Sequence, residues 1–308
     1  MFSRLNIAVV GDIMLDRYIE GKVERVSPEA PVPVVAIGAE SMFPGGAANV
    51  AHNIRVTGSR VNLFGVFGED EGGKNLRKML KERNIDCSGC VVLKDRITTV
   101  KTRIVAQGQQ IVRLDREVVK PVEPGVERKL LQSVSKKAFD AIVVSDYGKG
   151  VVTEGLVRGL CSFKKPVVVD PKVNHTSLYR DVTVITPNLK EAELMSGITI
   201  KDYRDEERAA ERILKETNAK CVLITEGYRG MTLYSERESF HVDARAKEVY
   251  DVTGAGDTVV AMFVLGLAAG LPLKRVVNLA NEAAAVVVGK RGTQVVSREE
   301  LNEILKRI

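Results

Sequence analysis

The 308-residue chain has no tryptophan, and aromatic residues make up only 5% of it. Nucleic-acid surfaces combine basic stripes with aromatic platforms. Here the lysines and arginines are dispersed and no recognisable motif accompanies them, so no nucleic-acid partner is expected. Cysteine is scarce too. Cys87 and Cys90 have C-x-x-C spacing, but neither a second pair nor nearby histidines accompany them, and they read as structural thiols. No run approaches the ~18 apolar residues of a membrane span. The longest candidate, Val259 to Leu273, is broken by Gly266, Gly270 and Pro272, so no membrane partner is expected. The N-terminal MFSRLNIAVVGD has only a short apolar run and reads as a first strand, not a signal peptide, which makes the cytoplasm the expected location. The G-x-G-x-x-G pattern that cradles a dinucleotide is missing near Gly11, which argues against an oxidoreductase.

What is present is a rhythm. Hydrophobic residues make up 44% and charged residues 28%, as in a globular protein, and the net charge of +6 suits an anionic small molecule as well as an ordinary basic surface. Apolar runs at 7–12, 61–68, 141–146, 166–171, 182–188 and 221–227 alternate with helical stretches such as 49–56, 74–83, 127–137 and 206–215. Runs apolar at every position suit strands covered on both faces. The fold class is therefore α/β, with a central, mostly parallel sheet flanked by helices and ligands at the carboxyl ends of its strands. Residues 17–37 and 97–115 instead alternate apolar with polar side chains, as half-exposed antiparallel strands do. They are expected to form a small β lid interleaved with one domain spanning 1–308, and their open edges favour pairing with a second copy.

The stretch DVTGAGDTVVAMF, 251–263, places Gly254 and Gly256 at the start of an apolar helix beginning near Ala255. Glycine costs roughly 1 kcal/mol in a helix interior, so its presence asks for a local reason. Free N–H groups at a helix start, with no β-carbons in the way, can receive an anion. Asp257, in the first turn, would stand beside that anion, able to take a proton from an attacking hydroxyl. Asp12 and Asp16 in GDIMLD, and Gly45, Gly46 and Asn49 in PGGAANVA, stand at other strand ends, where carboxylates and amides suit a ligand with several hydroxyls. For Asp12 taken alone a turn or cap role fits slightly better. Asn188 and Glu191 in TPNLKEAE have a spacing that fits a hold on hydrated Mg²⁺ and also an ordinary helix cap.

GGAANVA, TPNLKE and DVTGAGD, in that order and spacing, resemble the ribokinase-like (PfkB) carbohydrate kinases over essentially the whole chain. More narrowly, GDIMLDRY, ERVSPEAPVPVV, PGGAANVAHNI and QQIVRLD are similar to the kinase part of the D-glycero-β-D-manno-heptose 7-phosphate kinases, which phosphorylate the C1 hydroxyl on the way to lipopolysaccharide precursors. The resemblance implies a ribokinase-like fold and an ATP- and Mg²⁺-dependent sugar kinase. Asp257 would be its catalytic base, and the backbone of Gly254, Ala255 and Gly256 its anion hole. Asn188 and Glu191 would serve Mg²⁺ and phosphate, and Thr225, Gly227 and Asn281 would border the nucleotide. Asp251 and Thr253 match positions that bind a monovalent cation in several relatives, which makes K⁺ a candidate. Asp12, Asp16, Gly45, Gly46 and Asn49 would hold the sugar. A phosphorylated sugar also needs a positive anchor, for which Lys101, Arg103, Arg113, Lys149 and Lys172 are candidates. The partners implied are ATP, a small sugar phosphate and a second copy in a homodimer.

Many relatives of this kind carry a fused adenylyltransferase, whose H-x-G-H pattern this sequence lacks, so that second activity is expected on a separate chain. Two other readings stay open: a PfkB-type sugar or nucleoside kinase with a different lid, and a non-catalytic sugar-phosphate sensor.

Overall fold

A computed structural model describes residues 1–246, 249–290 and 294–308. In chain order the first half contains β1 (Asn6–Gly11), β2 (Ile13–Val26), β3 (Pro33–Gly46), α1 (Ala47–Val56), β4 (Arg60–Phe64), β5 (Val66–Gly68), α2 (Glu71–Glu82), β6 (Val91–Leu93), β7 (Thr99–Ala106), β8 (Gln109–Arg116) and α3 (Pro124–Ser135). The second half adds β9 (Ala141–Ser145), α4 (Glu154–Cys161), β10 (Val167–Asp170), β11 (Val184–Ile185), α5 (Leu189–Ser196), α6 (Tyr203–Thr217), β12 (Cys221–Thr225), β13 (Gly230–Ser235), β14 (Ser239–Asp243), α7 (Ala255–Ala268), α8 (Leu273–Val288) and α9 (Arg298–Arg307).

Eight strands form the central sheet in the order β14-β13-β12-β11-β10-β9-β1-β4. The pairs from β4 to β12 are parallel, and β13 and β14 add an antiparallel edge. That edge is possible because only four residues separate β12 from β13, too few for a crossover and enough for a hairpin. Side chains along each central strand alternate between two cores. Ile7, Val9, Leu63, Val143 and Val168 pack towards α1, α7 and α8, while Ala8, Val10, Phe64, Val144 and Val169 pack towards α3, α4 and α6. Burial on both faces explains the uninterrupted apolar runs. Helix α7 is buried from Asp257 through Gly266, as expected of a helix apolar all round.

Two expected strands differ in detail. The run 61–68 is two strands in different sheets, split at Gly65, where a Cβ would stand 2.5 Å from the Gly11 carbonyl. The run 182–188 keeps only the two-residue β11, because the Thr183 and Thr186 hydroxyls bond the β10 backbone on either side of it and Pro187 follows.

A second sheet, β3-β2-β7-β8, rises from the carboxyl end of β1. Its face away from the site exposes Val112 and Leu114, 43% and 54% accessible. The joint between the two sheets is tight: Asp12 N–H bonds Ser145 O, and Ala47 N–H bonds Asp12 O, both at 3.0 Å. Gly46 turns the chain from β3 into α1 with φ of +56°, and a Cβ there would lie 2.5 Å from Asp12 O. No helix among the described residues is long and apolar enough to cross a membrane.

Gly46→Ala is expected to cost on the order of 1–3 kcal/mol from the backbone conformation alone, measured by urea unfolding. A midpoint equal to that of the unsubstituted protein would show that the joint is not constrained in this way.

Candidate active site

Asp257 lies in the first turn of α7, 6% exposed, and its carboxylate is held from two sides. Asn49 Nδ2, from the first turn of α1, donates to Oδ2 at 2.6 Å, and the Tyr147 hydroxyl donates to Oδ1 at 2.8 Å. Burial pushes the Asp257 pKa up to about 6, the two donors pull it down, and the neighbouring Asp16 charge adds to the rise. Helices α1 and α7 are locked together one turn deeper, where Thr258 donates to Asn53 Oδ1 at 2.9 Å. Asn49 Oδ1 is buried without a hydrogen-bond partner, leaving that amide with unused acceptor capacity at the site.

Of the three peptide groups assigned to an anion hole, Ala255 is already used: its N–H turns back to Val252 O at 3.2 Å. Among the described residues the N–H groups of Gly256 and Asp257 bond no acceptor. A Cβ on Gly256 would meet nothing within 4 Å, so space lies open in front of that residue. The positive end of the helix dipole adds to the attraction for an anion there.

Two cavities meet at this helix start and share Thr225, Gly256 and Val259. One, of about 300 Å³, is polar and contains Asp146, Asp170, Lys172, Asn188, Glu191 and Asp257. Burial and the charges of Asp257, Glu191 and Asp146 push the Asp170 pKa well above the usual carboxylate range, and burial raises that of Glu191. A cation in the cavity would relieve the repulsion that Asp170 feels, and oxygen donors of this kind suit Mg²⁺, although among the described residues no three acidic or histidine side chains are grouped to hold a metal by themselves. Asn188 and Glu191 also form a reciprocal capping box at the start of α5, so the cap and the cavity wall are the same residues. An isolated bridge sets Asn188 beside Thr225. The second cavity, of about 370 Å³, is walled by Met231, Val249, Val252, Ala284, Ala285 and Val288, and Gly227 and Asn281 line it as well.

The residues expected to hold a sugar are near one another but differently employed. Asp12 is 1% exposed and spends both carboxylate oxygens on the backbone N–H groups of Tyr147, Lys149 and Val151, at 2.9, 2.9 and 3.0 Å. It organises the loop after β9. Asp16 pairs with Arg103, and Gly45 makes room for it, since a Cβ there would lie 2.3 Å from Asp16 Oδ2. Lys149 pairs with Glu117 at 2.8 Å and Arg113 with Asp115 at 2.8 Å, while Lys101 stands beside Asp16 in the strand register. Lys172 lies apart from these, in the polar cavity. Asp251 and Thr253 line a groove under the second sheet with Tyr18, Phe43 and Arg103, and Thr253 N–H bonds Asp251 Oδ1 at 2.8 Å.

Sequence reasoning passed over Tyr147 and Asp170. Asp170 ends an apolar strand, the same signal that singled out Asp12 and Asn188. No pattern marks Tyr147, whose reach to Asp257 across 110 residues exists only in the fold.

The family model for pfkB carbohydrate kinases matches residues 4–300. The chain is 43% identical over 308 residues to the bifunctional protein HldE of Syntrophotalea carbinolica and 44% identical over 304 residues to that of Geobacter sulfurreducens. These alignments cover 98% and 96% of this chain and 63% and 62% of the relatives, so the chain spans less than two thirds of their length. Among solved structures it is similar to phosphofructokinase-2 of Escherichia coli (TM-score 0.82, 20% identity, 99% of each chain) and to ribokinase of Arabidopsis thaliana (TM-score 0.79, 17% identity, 98% of this chain and 99% of that one).

Asp12→Ala would leave three backbone N–H groups without their acceptor, at about 1–3 kcal/mol each where buried. The expected result is a loss of at least about 3 kcal/mol in denaturant unfolding. A loss below about 1 kcal/mol would show that the loop holds itself without Asp12.

Proposed function

The chain belongs to the pfkB family of carbohydrate kinases, and on that premise we propose that it transfers the terminal phosphoryl group of ATP to the C1 hydroxyl of D-glycero-β-D-manno-heptose 7-phosphate. The products are the 1,7-bisphosphate and ADP. One observation carries the reading: a buried carboxylate, Asp257, lies between the polar cavity and the second sheet, beside two unbonded helix N–H groups. The heptose assignment rests on the motif resemblance and on 43–44% identity to proteins called HldE.

In this reading the nucleobase occupies the apolar cavity, bordered by Thr225, Gly227 and Asn281, and the triphosphate crosses Gly256 into the polar one. Asp257 accepts the proton of the C1 hydroxyl as the oxygen attacks the γ-phosphorus in line. The O–P bond to ADP breaks, and the N–H groups of Gly256 and Asp257 receive charge that builds on the transferred group. Asn49 and Tyr147 aim the base. Mg²⁺, held from the side of Asn188 and Glu191, would supply positive charge to the phosphates. The Asp251 carboxylate and Thr253 offer oxygen donors of the kind a K⁺ ion takes. The outward apolar face of the second sheet supports a homodimer, and dependence on ATP supports a cytoplasmic setting.

The base must be ionised, so kcat/KM is expected to fall as pH drops through about 6. Tyr147→Phe removes a donor that stabilises the carboxylate, which should move this acid limb to higher pH. An unmoved limb would take Asp257 out of the role. Asp257→Asn should lower kcat by at least ~10²–10⁴-fold while ATP binding, followed by calorimetry, persists. ADP release measured across a panel of sugars and sugar phosphates tests the acceptor: best turnover with a sugar other than the heptose 7-phosphate would overturn the assignment and leave the kinase chemistry standing.

A further inference from the structure

The antiparallel edge of the central sheet buries two acids that the chemistry described so far does not use. Glu206 of α6 and Glu226, one residue beyond β12, have fully buried side chains. Burial and then the charge of Glu226 push the Glu206 pKa up, while the Tyr234 hydroxyl and Arg229 pull it back. Arg229 bridges the two acids. Its Nη2 lies 3.4 Å from Glu206 Oε2, and its Nε lies 3.2 Å from Glu226 Oε2. The remaining oxygens are met from β13: Tyr234 donates to Glu206 Oε1 at 3.2 Å, and Thr232 donates to Glu226 Oε1. Thr232 has only one hydroxyl proton to give, so His241 Nδ1 of β14, 2.8 Å from that oxygen, is the donor in their contact.

Arg229 also ends a turn that forms part of the apolar cavity. Gly227–Arg229 is a single helical turn between β12 and β13, and Gly227 and Tyr228 line that cavity. The turn has little packing of its own: Tyr228 is 90% exposed, and a Cβ on Gly227 would meet nothing within 4 Å. Its inward hold comes from the charged cluster, with Glu226 at one end and Arg229 at the other. The Arg229 carbonyl reaches a second wall, accepting from Ala244 N–H at 3.3 Å, and Ala244 opens the segment after β14 that lines the same cavity. Two walls therefore converge on one residue. A guanidinium suits this place because its rigid fork can meet two carboxylates at once. Its Cζ also stands 5.5 Å from the centre of the Tyr203 ring, a cation–π contact that steadies it further.

We infer that Arg229 is a positioning residue for the phosphoryl donor: clamped between Glu206 and Glu226, it holds the Gly227–Arg229 turn and the start of the 244–246 segment as the walls against which the nucleobase packs. This inference rests on the reading that the nucleobase occupies the apolar cavity. A buried ion cluster is a weak source of stability, since apolar side chains of similar volume often serve the fold as well. What the cluster supplies here is geometry, at a turn whose exposed side has nothing else to fix it.

Calorimetric titration of the full chain with the Mg²⁺ complexes of ATP and of inorganic tripolyphosphate, which carries the phosphates without a base, tests the assignment. Arg229→Met alone would strand two buried acids, so it is combined with Glu206→Gln, which leaves one carboxylate beside Thr232 and His241. The expected result for this double variant is a rise of about 10-fold in Kd and KM for ATP, with the Kd for tripolyphosphate, kcat and the KM for the heptose 7-phosphate nearly unchanged. Arg229→Lys keeps the charge without the fork and should recover part of that loss. An unsubstituted chain that favours ATP over tripolyphosphate, with variants that keep the full preference, would overturn the role of Arg229 alone. Equal weakening of ATP and tripolyphosphate in the double variant would show general support of the fold and overturn that role too. An unsubstituted chain that binds the two alike would instead overturn the placement of the nucleobase in the apolar cavity.

Discussion

The structure turns on one costly placement: a carboxylate buried at the head of an almost wholly apolar helix. Removing such a charge from water costs several kcal/mol unless dipoles replace the lost hydration. Asp257 gets that replacement from Asn49 and Tyr147 and from the N-terminal end of α7. The compensation is partial, which is why burial still lifts its pKa to about 6. A group balanced in this way is ionised at neutral pH yet basic enough to take a proton, as general-base chemistry requires. The elements around it serve that balance. Asn53 and Thr258 fix α1 against α7, and Asp12 fixes the loop that presents Tyr147.

Charge is sorted around this point. Acids collect in the polar cavity, where burial and the charges of Asp257, Glu191 and Asp146 raise the cost of ionising Asp170, and cations collect on the second sheet at the other side of Asp257. The apolar cavity joins the polar one through Gly256, the residue whose missing side chain leaves space before the helix. One helix start is therefore the meeting point of an apolar cavity, a negative one and a positive sheet. That division matches a reaction that moves a phosphoryl group from one anionic partner to another.

Much of the fold is legible in the sequence because two-sided burial writes itself as unbroken apolar runs, and Ile7–Val10 and Ala141–Val144 show the pattern directly. Gly65 and β11 were less legible. A glycine inside an apolar run hides a change of sheet, and threonine hydroxyls shorten a strand without changing its apolar look. At the site, glycine before a helix and acids at strand ends mark residues that the fold gathers around the head of α7, but letters do not reveal which bonds a carboxylate has already made. Asp12 and Asp16 look equivalent in GDIMLD, yet one gives both oxygens to backbone N–H groups and the other gives one oxygen to an arginine. Ala255 lies among the residues expected to form an anion hole, yet its N–H turns back to Val252 O.

A crystal structure with a non-hydrolysable ATP analogue and the heptose 7-phosphate tests the central claim most directly. The account predicts the terminal phosphate on the N–H groups of Gly256 and Asp257, with the C1 hydroxyl within hydrogen-bond distance of the Asp257 carboxylate. A terminal phosphate directed away from the head of α7, or a C1 hydroxyl that meets a different base, would contradict it.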